Sequence, residues 1–159
     1  MGRMGRGGFS LLEVMTAIAV FGLMAAIAIP RWEALLAHIR TRGAASRVAA
    51  DLAYTRHAAA RWGRTARLQI EPSRDCPAPR GGVGGHRYRI LVGDSVIARV
   101  DLRVDAGRVC LVSNQSGRVV FHSSGVLAGF NNRTLSVRQG PYAADLVVVS
   151  AVGRVRRRF

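Results

Sequence analysis

The hydrophobic and polar positions divide the chain into three stretches with different periods. Residues 9–29 are all apolar or small except Glu13. At 1.5 Å per residue a helix of that length is about 31 Å long, enough to cross the hydrocarbon core of a bilayer. Arg3 and Arg6 precede it, which by the positive-inside rule places the N-terminus in the cytoplasm. No small-residue cleavage site follows, so the stretch is predicted to remain on the protein as a transmembrane helix.

Between residues 30 and 63 the apolar positions recur with a period close to 3.5, and arginines occupy the opposite face. This pattern predicts that the helix continues and packs on the core of a soluble domain, although a basic helix lying on a membrane would look similar. Gly63 stands where a C-terminal cap is expected. The apolar positions are Trp32, Leu35, Leu36, Ile39, Ala45, Val48, Leu52, Thr55, Ala59 and Trp62.

After Gly63 the period changes to two, and turn signals separate short alternating runs. One long helix followed by such runs is an α+β layout, with an antiparallel sheet packed on the helix, so residues 64–159 are predicted to be a β-rich soluble domain. The glycine-rich stretch 76–85 is interpreted as a flexible linker, since neither a phosphate-binding Gly-Lys-Ser/Thr nor a strand-to-helix switch follows it. The predicted strands are 65–71, 86–92, 96–103, 108–113, 118–122, 134–138 and 145–152.

Composition adds a strong positive charge. The chain has 24 basic and nine acidic residues, for a formal net charge of +15. Every basic residue is arginine, and the lack of lysine excludes Schiff-base chemistry and a P-loop lysine. A chain this basic attracts polyanions such as nucleic acid or an anionic lipid surface. A genome rich in G and C would enrich arginine without any such role.

Glu13 is the residue that a plain membrane anchor does not explain. A carboxylate at the bilayer centre costs roughly 2.5–3.5 kcal/mol, so it is either functional or a tolerated acid near one membrane face. The run GFSLLEVM, with Pro30 deeper in, resembles the N-terminal signature of type IV pilins and their relatives. The resemblance implies that a prepilin peptidase removes leader residues 1–8 by cutting after Gly8. It further implies that Phe9 is N-methylated and that Glu13 pairs with the terminal amine of a neighbouring subunit.

The second half of the chain extends the resemblance. The run VVFHSSGVLAGFNNRTLSVRQG followed by LVVVSAVGRVRRR resembles the soluble domain of the GspH/FimT family, the minor pseudopilins of type II secretion and minor pilins of type IV pili. Its typical features are a Phe-x-x-x-Gly turn, here Phe121 to Gly125, and a closing strand with Gly153-Arg154. The resemblance implies a type IV pilin-like fold and a single-pass inner-membrane protein. The soluble domain would then be periplasmic, and the protein would assemble with other pilin or pseudopilin subunits.

The C-terminus carries the candidate binding site. Some members of the pilus branch bind DNA for uptake through Gly-Arg-x-Arg, which Gly153 to Arg156 reproduces. If the last strand stays extended, Arg154, Arg156 and Arg158 lie on one face and Arg157 on the other. Guanidinium groups in such a row can fork onto phosphate oxygens. The candidate DNA-binding residues are therefore Arg154, Arg156, Arg157 and Arg158.

Other interpretations of this terminus stay open. It could be a solvated basic tail on a pseudopilin at the tip of a type II secretion pseudopilus, and a peripheral lipid-binding role is a third interpretation. The expected function is a minor pilin that binds DNA for natural transformation.

Two cysteines complete the candidate chemistry. Neither Cys76 nor Cys110 has a second cysteine or a histidine at metal-site spacing, so no metal site is predicted. In an exported domain a disulfide between them is expected, and two buried free thiols are the alternative. The four histidines are scattered, and no set of acid, base and nucleophile can be assembled. The sequence therefore predicts neither an enzyme nor a cofactor.

Overall fold

The computed structural model describes residues 10–129, 132–140 and 143–158. The predicted order of a long helix followed by strands is confirmed. The chain divides into two compact units, Met1–Leu35 and Leu36–Phe159. The elements are α1 (Leu11–Trp62), β1 (Ala66–Glu71), β2 (Val83–Gly85), β3 (Arg87–Val92), β4 (Ser95–Asp101), α2 (Leu102–Ala106), β5 (Cys110–Ser113), β6 (Arg118–Phe121), β7 (Arg133–Gln139), β8 (Ala143–Val149) and β9 (Val155–Arg158).

The first unit contains the apolar start of α1. Large apolar side chains are exposed along its whole described length, from Leu11 at 80% to Ile29 at 59%. By length and composition, α1 is able to cross a membrane. An exposed apolar surface of this extent requires lipid or other protein around it.

The second half of α1 turns a buried face toward the strands. That face begins at Thr41 and ends at Ala59. Trp32, Leu35 and Ile39 before it and Trp62 after it are exposed, so the predicted apolar stripe is wrong at both ends. At 3.6 residues per turn Ile39 lies about 200° around the helix from Thr41, which puts the two on opposite sides. Gly63 has φ +61° and ends the helix as predicted. The buried positions are Thr41, Ala44, Ala45, Val48, Leu52, Thr55, Ala58 and Ala59.

The strands form two antiparallel sheets, where the sequence predicted one. The first sheet has the order β4-β3-β1-β6, and the second has the order β2-β5-β7-β8-β9. Alternate residues of each sheet are buried, as in the pattern of Ala66, Leu68 and Ile70 on β1. These side chains join those of α1 in one hydrophobic core, which holds Leu52 from the helix and Val147 from the second sheet.

Two predicted strands end at least two residues earlier than expected. β4 stops at Asp101, whose carboxylate accepts a hydrogen bond from the Arg103 amide at 2.9 Å and caps the short helix α2. Aspartate at this position satisfies an amide that the first helical turn leaves without a partner, which favours helix over strand. β8 stops at Val149, and a turn follows it.

The interpretation of residues 76–85 as a flexible linker is wrong. Its end forms β2, which pairs with β5. A Cβ atom added to Gly82, Gly84 or Gly85 would collide with a backbone carbonyl oxygen, that of Ser113, Cys76 and Glu71 respectively. These glycines therefore allow backbone segments to approach closely, and the segment is packed rather than loose.

Candidate functional site

Glu13 lies in the first turn of α1 and its side chain is exposed. Its backbone amide donates to the Ser10 carbonyl at 3.0 Å, and its own carbonyl accepts from the Thr16 hydroxyl at 2.9 Å. Both bonds use the backbone of Glu13, so neither of them occupies its carboxylate. The predicted cleavage site, Gly8 and Phe9, lies outside the described residues.

The chain reverses after β8 instead of continuing as one extended strand into the arginines. The Gly153 amide donates to the Ser150 carbonyl at 2.8 Å, and the Arg154 amide donates to Ser150 Oγ at 3.1 Å. Gly153 lies between β8 and β9 and adopts φ +79°, a conformation that L side chains rarely take. The expectation of a continuous strand is therefore wrong, and β8 and β9 form a hairpin, called here the terminal hairpin, residues 146–158.

Arginines of the terminal hairpin face in different directions. Arg156 is exposed and pairs with Val148 on the neighbouring strand, whereas Arg157 pairs with buried Val147. Arg157 reaches α1, where its guanidinium donates to the Ser46 hydroxyl. Arg154 precedes β9 and is exposed.

These positions separate two roles. Arg157 attaches the hairpin to the helix, whereas Arg154 and Arg156 present their guanidinium groups to solvent. For Arg158 the structure gives only its backbone position, opposite Leu146.

A contact between the terminal hairpin, the turn after β6 and α1 explains Gly153 and Gly125. Arg56 of α1 donates from Nε to the Gly125 carbonyl at 3.1 Å. A Cβ atom on Gly153 would collide with that same carbonyl oxygen and lie 3.2 Å from Arg56 Nε. Gly125 itself has φ +75° in the turn that follows Phe121. The two glycine motifs of the sequence therefore meet at Arg56, a contact that sequence reasoning missed because it assigned Arg56 to the solvent-facing side of the helix.

Exposed arginine also occurs on the outer face of the second sheet. This is the face away from the buried side chains of Leu135 and Val147. Thr134 pairs with Val148, and Val148 pairs with Arg156, so the three lie in one row across the sheet. Arg138 is exposed on the same face of β7. Because neighbouring strands are about 4.8 Å apart, Arg156 lies roughly 10 Å across the sheet from Thr134. Arg154 and Arg156 thus form an exposed basic surface around the terminal hairpin, and Arg138 lies further along the same sheet face, roughly 17 Å from Arg156 by strand geometry.

A polar contact that the sequence did not predict holds α1 to the first sheet. The buried Tyr88 hydroxyl donates to Asp51 Oδ2 at 2.6 Å. Burial raises the pKa of Tyr88 well above its ordinary value, and the Asp51 carboxylate adds to the increase. Tyr88 is therefore a neutral donor at all physiological pH values, and its role is to connect strand and helix.

The predicted disulfide between Cys76 and Cys110 is present. Its surroundings were not predicted, because His86 lies against it, with Nε2 at 3.3 Å and Nδ1 at 3.6 Å from Cys76 Sγ. The argument from sequence spacing therefore missed a histidine beside the cysteines, ten residues from Cys76. Metals bind the thiolate form of cysteine, and in this structure both sulfur atoms are bonded to each other instead.

The chain matches two family models. Residues 3–29 match the prokaryotic N-terminal methylation motif, and residues 44–153 match the type II transport protein GspH. No curated protein sequence matches the chain.

Two solved structures are similar, both crystal forms of the type IV minor pilin FimU from Pseudomonas aeruginosa strain PAO1. Sequence identity is 19% in both cases, and the TM-scores are 0.55 and 0.56. The matched region is 74% of this chain in both cases, and it is 87% and 92% of the two FimU chains. At this identity the likeness establishes the fold alone.

A long N-terminal helix followed by antiparallel sheets, together with the methylation motif, defines a pilin-like protein, which is a structural subunit and not an enzyme. The match over residues 44–153 covers most of the chain, which therefore belongs to the GspH family of minor pilins and pseudopilins. The methylation motif implies processing by prepilin peptidase and assembly with other pilin subunits at the inner membrane.

Proposed function

We propose that the protein is a minor pilin of a type IV pilus that binds DNA during uptake, and that the exposed basic surface around the terminal hairpin holds the DNA. The observation that carries this proposal is the exposure of Arg154 and Arg156 on a hairpin that Arg157 joins to α1 through the Ser46 hydroxyl. Guanidinium groups on a fixed backbone bind phosphate oxygens with little loss of conformational entropy. The net charge of +15 adds a long-range attraction to any polyanion.

The roles proposed for the four C-terminal arginines differ. Arg154 and Arg156 contact phosphate, Arg138 offers a further cation on the same sheet face, and Arg158 stays a candidate from its place in the arginine-rich run of the sequence. Arg157 positions the hairpin through its bond to Ser46. Because the contacts are to phosphates, DNA of any sequence should bind similarly.

The test measures DNA affinity as a function of salt with the full chain in an uncharged detergent. Log affinity should fall linearly with log salt, by roughly 0.9 for each duplex phosphate neutralised. Replacing Arg154 and Arg156 together with glutamine should flatten the slope by up to ~2 and weaken binding to two unrelated duplexes equally. The turn should survive, because Arg154 forms its turn bonds through its backbone.

The matched control replaces Arg99 and Arg118 with glutamine, which removes the same charge from exposed positions on the first sheet. This pair should leave the salt slope nearly unchanged. Equal losses from both double variants would mean that bulk charge drives binding, and the site would then be wrong.

The alternative function is a minor pseudopilin at the tip of a type II secretion pseudopilus, favoured by the description of the matching family as a type II transport protein. This alternative predicts no DNA binding near 150 mM salt (about physiological ionic strength). It also predicts that loss of the protein impairs secretion rather than transformation.

We also propose the processing and topology that the N-terminal motif implies. Cleavage after Gly8 removes Arg3 and Arg6, which lowers the formal net charge of +15 by two and leaves Phe9 as a methylated N-terminus. Residues 9–29 then span the inner membrane, residues 30–63 continue the helix, and residues 64–159 form the periplasmic domain. N-terminal sequencing of protein from a host with the peptidase should read from Phe9, and a sequence beginning at Met1 or near Pro30 would contradict the proposal.

A further inference from the structure

A polar cavity of about 860 Å³ lies beside the disulfide. Its lining includes Cys110 and His86 together with three charged side chains, those of Asp75, Arg103 and Arg108. The two halves of the disulfide differ in access, because Cys76 is 2% exposed whereas Cys110 is only half-buried. An external sulfur atom entering the cavity would therefore meet Cys110 first.

His86 is a buried titratable group that subunit assembly and DNA binding do not use. It is 6% exposed, and its Nδ1 lies 2.9 Å from the Val109 carbonyl oxygen. A carbonyl only accepts hydrogen bonds, so Nδ1 carries a proton and donates it there. In the neutral ring this leaves Nε2 as the unprotonated nitrogen, 3.3 Å from Cys76 Sγ. A base at that distance from a buried sulfur is able to exchange a proton with it.

We propose that the Cys76–Cys110 disulfide is a thiol–disulfide exchange site, in which Cys110 reacts with an external thiol and His86 holds a proton beside the buried Cys76. The thiolate of the external thiol attacks Cys110 Sγ and forms a mixed disulfide. The bond between Cys110 and Cys76 breaks, and its electron pair leaves on Cys76 Sγ. The proton lost by the external thiol is taken up at His86 Nε2, which holds it beside the new Cys76 thiolate.

The reverse reaction forms the disulfide during folding. His86 accepts the Cys76 proton, the Cys76 thiolate attacks Cys110 in the mixed disulfide, and the external group leaves as a thiolate. The partner is therefore a thiol or disulfide compound, small or borne on an oxidoreductase. Exchange of this kind is faster when the leaving thiolate is stabilised, which is the contribution proposed for His86.

The charges around the cavity favour an anionic partner. Arg103 forms an ion pair with Asp75 at 2.8 Å, and Arg108 lines the same cavity. Reduced glutathione, an anionic thiol, is the appropriate probe.

The first experiment follows reduction of the full chain in detergent by reduced glutathione, by counting free thiols with time. His86→Asn keeps an amide donor for the Val109 carbonyl but has no titratable group. We expect this variant to be reduced about fivefold more slowly than the wild type at pH 6, with the two rates converging near pH 9, where the glutathione is mostly thiolate and has no proton to transfer to His86. A rate ratio that stays constant with pH would show a merely structural role and would overturn the proposal.

A second experiment assigns the attacked sulfur and does not depend on a histidine variant. The variants Cys76→Ser and Cys110→Ser are each incubated with oxidised glutathione, and the adduct is measured by intact mass. The chain that keeps Cys110 should form the glutathione adduct at least several-fold faster than the chain that keeps Cys76. Equal labelling, or faster labelling of Cys76, would contradict the assignment of Cys110 as the entry point.

Discussion

Large apolar side chains are mostly exposed in the first compact unit of the chain and mostly buried in the second. In the first unit Leu23 is 71% exposed and its apolar neighbours are similarly exposed, whereas in the second unit Leu52, on the same helix, is fully buried. Leu23 therefore gains nothing from the fold of a single chain, and its apolar surface is available to lipid or to other subunits. The first unit is built for contacts between molecules, and the second for stability within one molecule.

Among the substitutions that test this difference, Glu13→Ala should have the largest effect, which is on assembly between subunits. The substitution removes the proposed counter-charge for the amine of a neighbouring subunit, and membrane insertion should be unchanged or easier because the cost of burying a charge disappears. Fibre or tip assembly, measured by recovery of sheared surface fibres, should be lost or fall by tenfold or more, because the amine of the neighbouring subunit would be left without its counter-charge. Assembly at the wild-type level would show that the acid is only tolerated.

Thermal unfolding of two leucine variants should sharpen the comparison. Leu52→Ala removes a fully buried side chain and should destabilise the second unit by about 2–5 kcal/mol. Leu23→Ala, at an exposed position, should change the same unfolding transition by less than about 0.5 kcal/mol. A comparable loss from both variants would show that the exposed part of α1 also stabilises the folded chain.

Gly153→Ala should have a somewhat smaller effect, confined to the second unit. Alanine at φ +79° is strained by about 1–3 kcal/mol, and its Cβ would also collide with the Gly125 carbonyl that Arg56 holds. Gly129→Ala is the control, since Gly129 also has positive φ but nothing lies within 4 Å of an added Cβ. Gly153→Ala should lower the melting temperature more than the control does, and DNA affinity should fall with it. Equal shifts would mean that the contact at Arg56 contributes nothing beyond backbone strain.

Local patterns in the sequence were sufficient to predict the helix and most of the strands. The alternation of Leu68 and Ile70 with polar residues, and the glycine after Trp62, each depend on neighbours in the chain, so they could be recognised without the fold. The buried face of α1 was misplaced at Ile39 because Ile39 and Ala45 are six residues apart, about 240° around the helix, so the two do not lie on one stripe.

Contacts between distant residues could not be predicted in this way. Arg56 and Gly125 are 69 positions apart, and an arginine on a helix normally indicates a solvated face. The glycines of residues 82–85 have the composition of a linker, and only the approach of Ser113 and Glu71 shows that they are packing positions. The disulfide between the two cysteines was predicted correctly, because an exported domain lies in an oxidising compartment. The histidine beside it could not be predicted, because its position depends on the register of β3 and on the loop that precedes β2.

The position of β9 at the end of its sheet order has a consequence for solubility. A terminal strand presents unpaired backbone groups along one side, and another chain is able to add a strand there. Natural proteins often protect such edges with charged side chains, and β9 is Val-Arg-Arg-Arg. The arginines proposed to bind DNA would thus also discourage edge-to-edge aggregation of free subunits through mutual repulsion. A subunit whose arginines are neutralised by bound DNA should consequently be more prone to self-association than the same subunit alone, which light scattering at increasing DNA concentration would detect.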